Sequence, residues 1–196
     1  MAHPPTAPPT PRFDFGSFPT LRTQRLTLRE IVLADADAIF EIRSDYAVTR
    51  LNIGAAYESR EQAVELIESM TTHYAERGEL RWGITLRDDE RIVVGMCGYN
   101  TWHQIDRRAS VGFDLARAYW RRGIMREALD AVVRFGCEEM ALNRIEADAS
   151  AENMASIELL RSLGFKPEGT QREQYWDDGQ FHALHLFGLL RQERPV

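Results

Sequence analysis

The chain has little that would tie it to a membrane, an oxidising compartment or a nucleic acid. Only Cys97 and Cys137 carry thiols among its 196 residues. Each lies inside an apolar run, which excludes a disulfide framework and reads as two buried thiols. No apolar run approaches the roughly 18 residues needed to span a bilayer. The start also lacks the charged-then-apolar layout of a secretory signal, so a cytoplasmic address is expected. Positive charge is in deficit: 24 Lys and Arg against 30 Asp and Glu leave a formal net charge of -6. Such a balance opposes non-specific nucleic-acid binding and steers cationic partners, amines among them, towards the surface. No glycine loop runs into Gly-Lys-Ser/Thr and no second and third glycine complete a dinucleotide fingerprint, so neither common nucleotide loop is present.

What remains is an ordinary globular composition, 44% apolar and 28% charged, long enough to bury one substantial core. Six of the eight prolines fall in residues 1–19, where no apolar periodicity accompanies them. That stretch reads as a disordered or loosely docked arm, followed by a single domain over residues 20–196.

The spacing predicts a mixed α/β sheet without internal repeats. Leu21 to Leu28 alternates like a half-buried strand, and Asp35 stands where it could cap a helix with Ile39, Phe40 and Ile42 on its apolar face. A second helix begins near Ser59 and stops at Arg77-Gly78. Leu80 to Leu86 and Ile92 to Tyr99 flank a polar hairpin tip, and Ser110 to Leu115 forms a further strand. Ile124, Ala128, Val132 and Phe135 then fall at helical spacing. Leu142 to Ser150 alternates again, and a strand after a crossover helix implies a parallel pair. Asn153 to Leu163 reads as a short helix ended by Gly164. Glu173 to Trp176 and Phe181 to Leu190 flank Asp177-Asp178-Gly179, a hairpin signal. His182 and His185 lie three apart on a strand, hence on opposite faces, so no metal site is expected.

The most informative stretch runs from Ala118 to Ala131. A strand enters a loop holding Gly123 among Arg117, Arg121, Arg122 and Arg126, and the loop opens the long amphipathic helix. Helix N-termini present unpaired amides and partial positive charge, which suits a diphosphate, with Gly123 allowing close approach. Read alone, the loop is equally compatible with a tight turn carrying solvated arginines.

Four segments in order carry a family resemblance: RLTLRE at Arg25 to Glu30, ASVGFDL at Ala109 to Leu115, YWRRGIMREAL at Tyr119 to Leu129, and ENMASIELLRSLGFKPEG at Glu152 to Gly169. Together they resemble the GNAT acetyltransferases, in particular the branch of Rim-type ribosomal-protein N-terminal acetyltransferases. The resemblance implies a mixed sheet of six to seven strands with splayed fourth and fifth strands and about four helices. It implies acetyl-coenzyme A as cosubstrate, with the diphosphate on the main chain of Arg121, Arg122, Gly123, Ile124, Met125 and Arg126. The pantetheine arm would enter the splay against the main chains of Phe113, Asp114 and Leu115. A slim arm carrying amides needs unpaired strand donors and acceptors to replace its water, and separating strands supply them.

The same resemblance puts Asn153 near the pantetheine and Ser156 near the sulfur, where its hydroxyl would protonate the departing thiolate. Asn153 is also a good helix cap whatever the function. Tyr175 lies where relatives place substrate and base groups, with Glu173 the nearby carboxylate. Two departures stand out: Ser110 occupies a position where many relatives carry a glutamate base, and Met125 replaces a small residue. The general base is therefore unassigned. The acceptor expected is a primary amine, either a protein N-terminus or a small molecule such as a polyamine, an aminoglycoside or an amino acid. A catalytically silent acyl-coenzyme A binder is the remaining reading, as a monomer or homodimer.

Overall fold

Alternating and helical spacings become one mixed sheet with helices on both faces in the computed structural model, which describes residues 10–51, 55–177 and 179–194. Among the described residues the strands are β1 (Leu21–Arg22), β2 (Leu26–Arg29), β3 (Leu80–Leu86), β4 (Gly95–His103), β5 (Arg108–Leu115), β6 (Arg144–Ser150), β7 (Lys166–Asp177) and β8 (Gln180–Leu190). They stand in the order β1-β2-β3-β4-β5-β6-β8-β7. Every neighbouring pair is antiparallel except β5 and β6. The helices are α1 (Ala36–Ser44), the single turn α2 (Tyr46–Thr49), α3 (Arg60–Ala75), α4 (Ile124–Glu138) and α5 (Met154–Ser162).

The sheet has eight strands rather than six to seven, in part because the strand expected over Leu21 to Leu28 folds on itself. The Thr23 hydroxyl accepts from the Leu26 amide at 2.9 Å and Thr23 N donates to Leu26 O at 3.0 Å, so the chain turns between β1 and β2. The added strand makes the parallel, diverging pair the fifth and sixth rather than the fourth and fifth. Asp35 does not cap α1: its carboxylate turns back to the Val32 amide at 2.9 Å and to both terminal nitrogens of Arg29 at 2.8 Å. The polar stretch after Tyr99 is itself ladder, with Thr101, Trp102 and His103 opposite Ser110, Ala109 and Arg108.

Crossing from β5 to a parallel β6 requires a long connection, and α4 supplies it. Its apolar stripe lies on one face of the sheet with Cys97, Tyr99, Ala109, Val111, Ile145, Ala147 and Ala149. Gly136 lets the helix come close, because a Cβ there would sit 2.0 Å from the Tyr99 hydroxyl, which donates to Val132 O at 2.8 Å. Truncating Leu129, 1% exposed in this layer, would cost about 2–5 kcal/mol. On the other face α1 and α3 bring Ile39, Ala63, Ile67 and Met70 over Val93 and Met96.

Of the arm expected over residues 1–19, residues 1–9 lie outside the described residues. Residues 10–19 have no regular secondary structure, yet Phe13 and Phe15 stack on Trp102, and Phe13, Phe15 and Phe18 meet Tyr74, Phe135 and Trp82 tilted or edge-on. The Trp82 indole donates to Pro19 O at 2.6 Å. Asp178, in the expected hairpin tip, is also outside the described residues, as are residues 195–196.

Candidate active site

The chain leaves β5 at Ala116 and reaches α4 through one turn of 3-10 helix, Arg117–Tyr119. The Trp120 indole donates to Leu115 O at 2.8 Å, which pins the loop to the end of the strand. Arg121 (φ 58) and Gly123 (φ 72) then take left-handed backbone conformations, the second of them immediately before the helix. Glycine adopts that conformation without the side-chain clash other residues meet. Among the described residues none of the amides from Arg121 to Arg126 donates a hydrogen bond to a protein group; the first amide in use is that of Glu127, to Gly123 O at 3.1 Å.

Electrostatics add to the dipole of these amides. Arg117, Arg121, Arg122 and Arg126 are exposed, and among the described residues none has an ion-pair partner. Arg122 lies over the Tyr119 ring at 5.5 Å. Ile124 and Met125 point into the core at 5% and 6% exposure, so they can offer a ligand only their main chains. Six amides free of protein partners among the described residues, on a segment carrying four exposed arginines, fit a diphosphate.

Beside this loop the sheet opens. β5 and β6 are paired only from Arg108↔Arg144 to Ser110↔Glu146, so Val111 to Leu115 have no partner strand on that side. Ala116 N donates to Val94 O at 2.9 Å, and main-chain direction alternates along a strand. Phe113 and Leu115 therefore turn their amides into the gap, with the Leu115 carbonyl taken by Trp120. Asp114 departs from expectation: its main chain faces β4. Its buried carboxylate lies 3.1 Å from Arg43 and 3.9 Å from Arg81, tying β5 to α1.

At the far lip α5 begins. Asn153 Oδ1 accepts from Ser156 N at 3.1 Å, so Asn153 does cap the helix. Ser156 is half-buried, and among the described residues its hydroxyl makes no hydrogen bond. Ala151 N donates to Ala183 O at 3.1 Å, which brings β8 up to this turn. Tyr175 on β7 stacks on His182 with ring centres 5.2 Å apart. His182 is 13% exposed, with Nδ1 3.7 Å from Glu152 and Nε2 3.1 Å from Asp177 O. Glu173 is exposed in a bulge of β7, at φ 52.

Ile145, Ala147 and Ala149 pack towards α4, so alternation turns Glu146, Asp148 and Ser150 to the opposite face of the sheet. Met96 belongs to the α1–α3 layer and pairs with Asp114, so Ser110, Gly112 and Asp114 share that face. Glu146 accepts from Arg144 at 2.8 Å and from Arg108 at 3.2 Å. The Asp148 carboxylate has no hydrogen-bond or ion-pair partner among the described residues. It reaches solvent, yet the walls around it raise its pKa by burial.

Residues 25–166 match the acetyltransferase (GNAT) domain family. The chain belongs to the GNAT acetyltransferases. It is 35% identical to the uncharacterized N-acetyltransferase YoaA of Bacillus subtilis, over 89% of this chain and 98% of that one. It is 29% identical to the [Ribosomal protein uS5]-alanine N-acetyltransferase of Escherichia coli, over 52% of this chain and 53% of that protein. Among solved structures, that of Mycobacterium smegmatis RimJ in complex with CoA-disulfide has the same fold, with a TM-score of 0.79 at 23% identity, covering 87% of this chain and 84% of that one.

Within this GNAT fold the loop residues Arg121 to Arg126 and the gap-facing Phe113 and Leu115 adjoin along one continuous strand and loop. Asn153 and Ser156 open the helix that follows β6 on the other lip. Tyr175 joins them through His182 and Glu152. Asp148 and His182 were missed in sequence, because each reads as the outward half of an alternating strand. The strand divergence that gives Asp148 a gap to face has no signature in residue type.

Proposed function

We propose that this GNAT protein transfers the acetyl group of acetyl-coenzyme A to a primary amine, with the N-terminal amine of a protein as acceptor. One observation carries the reading: six amides at the start of α4 that are unpaired among the described residues lie beside the unpaired edge of β5. Acetyl-coenzyme A supplies a thioester that an amine can attack directly, so no cysteine relay is needed. The buried Cys97 and Cys137 have no part in it.

Main-chain amides of Arg121 to Arg126 hold the diphosphate, and the four arginines around them offset its charge. Phe113 and Leu115 give their gap-facing amides to the pantetheine arm and the carbonyl oxygen, stabilising the charge that develops there. Asn153 shapes the helix start through its cap. Ser156 donates its hydroxyl proton to the departing thiolate, and Tyr175 faces the acceptor.

An α-amine, with a reference pKa near 8, loses its proton about 2.5 units more easily than a lysine side chain. That preference, and the Escherichia coli relative named for acting on a ribosomal protein, support a protein N-terminus. Incubation with acetyl-coenzyme A and a panel of peptides and small amines, followed by thiol release and product mass, tests the reading. Thiol appearing only with free α-amino peptides agrees with it. Release with polyamines or aminoglycosides alone would replace the acceptor, and tight cofactor binding without release for any amine would leave a silent binder.

A further inference from the structure

A primary amine is mostly protonated near neutral pH and cannot attack until its ammonium proton is removed. Ser110 offers no carboxylate for this. On the face of the sheet away from α4, the lips of the gap carry Ser110, Gly112 and Asp114 on β5 and Glu146, Asp148 and Ser150 on β6. Two of the three carboxylates are neutralised by arginines, Asp114 by Arg43 and Arg81, and Glu146 by Arg144 and Arg108. The carboxylate of Asp148 alone among them has no partner among the described residues.

Its position matters as much as its freedom. Parallel pairing ends at Ser110↔Glu146, and Asp148 is the next residue of β6 on the same face. It stands where the gap begins, at the end that a thioester reaching in from the α4 loop would approach. Across the gap the lip is low: Gly112 has no side chain, and the atoms nearest to where its Cβ would be belong to the neutral amide of Asn100. Of the other titratable groups on this face, Glu168 of β7 is bonded to Arg144 beside Glu146, and His182 with Glu152 and Tyr175 sit beyond Ser150 at the far end of β6.

The geometry points to Asp148 as the general base of the transfer, its carboxylate taking the proton that leaves the acceptor ammonium group. This rests on the acetyltransfer reading above. The ammonium R–NH3+ gives one proton to Asp148 and becomes R–NH2, whose lone pair forms the N–C bond. The C–S bond breaks, and the thiolate takes its proton by way of Ser156, which is replenished by the second proton leaving nitrogen. Asp148 then returns its proton to solvent. The products are the amide, free coenzyme A thiol and one H+. Burial at the gap raises the pKa of Asp148, which makes its carboxylate the better proton acceptor.

The test uses the whole chain with Asp148→Asn and Asp148→Glu. For Asp148→Asn, kcat/KM for the amine falls by about 100-fold at neutral pH, while coenzyme A affinity by calorimetry is unchanged. The deficit shrinks as pH rises towards the amine's own pKa, and Asp148→Glu regains part of the rate. In carboxyl-carbon NMR of the unliganded protein, the Asp148 resonance moves on adding a peptide with a free α-amine and not on adding its acetylated form. Rates for Asp148→Asn within threefold of wild type, or an Asp148 signal indifferent to the amine, would overturn this assignment and leave acetyltransfer standing. Wild-type protein that binds coenzyme A but releases no thiol with any amine would defeat both.

Discussion

Arg25 grips Glu127 twice, its main-chain amide 2.8 Å from Oε1 and its Nε 2.6 Å from Oε2. The same guanidinium donates to Arg122 O at 2.9 Å, and the Thr23 hydroxyl adds a bond to Oε1 at 2.6 Å. The turn between β1 and β2 thereby fixes the first turn of α4 and the carbonyl side of the loop. Arg25→Ala should weaken coenzyme A binding by about tenfold, because an ordered set of donors becomes one that must be ordered on binding. Calorimetry reads the change, and circular dichroism should show the fold intact.

Burial pushes Glu127 up, but its bonds from Thr23 and Arg25 outweigh that and hold its pKa below the usual glutamate value. A depressed pKa stabilises the fold fully above the unfolded-state value of about 4.3 and loses that contribution as pH falls through the folded value. Glu127→Gln should therefore lower the urea midpoint at pH 7, and the gap to wild type should narrow as pH drops below about 4. A gap independent of pH would remove the carboxylate's charge from the account.

Gly123→Trp should abolish coenzyme A binding, since a side chain at the start of α4 would fill the space the phosphates need. Ser156→Ala should reduce kcat by about 10- to 100-fold with cofactor affinity kept. A wild-type rate for Ser156→Ala would take this hydroxyl out of the reaction.

Gly136→Ala should destabilise the protein by about 1–3 kcal/mol in chemical denaturation, against alanine's better helix propensity. The added methyl would collide with the buried Tyr99 hydroxyl and push α4 off the sheet. Removing that hydroxyl in a Tyr99→Phe background should recover part of the loss.

Burial raises the Cys97 thiol to about 12 and pushes Cys137 up as well. Neither should react with a disulfide reagent in the native protein at pH 8, and both should react in guanidinium. Thiol released in the transfer assay can then be counted without a contribution from the enzyme.

Helical spacing over Ile124, Ala128, Val132 and Phe135 makes α4 readable in the sequence, because a buried stripe repeats in the residues themselves. Gly164 after α5 was equally legible as a stop. The first seven residues of β7 were not: Lys166 to Arg172 sit at the sheet edge, exposed on both faces, so their main-chain ladder leaves no apolar alternation to read. The β1–β2 turn was hidden because it depends on one hydroxyl, that of Thr23, rather than on glycine or proline. The Gly123 loop was legible as a helix start crowded with arginines, and the structure leaves Arg117, Arg121, Arg122 and Arg126 exposed around it. Asp114 was assigned to the cofactor from its place in a motif, whereas strand alternation spends its main chain on β4.

The central claim is that free amides at the start of α4 and along the open edge of β5 receive coenzyme A. Amide hydrogen exchange followed by NMR, with and without coenzyme A, tests it most directly. The account predicts new protection at Gly123 to Arg126, Phe113 and Leu115, with Asp114 already protected in the free protein. Coenzyme A bound with those amides still exchanging freely would contradict it.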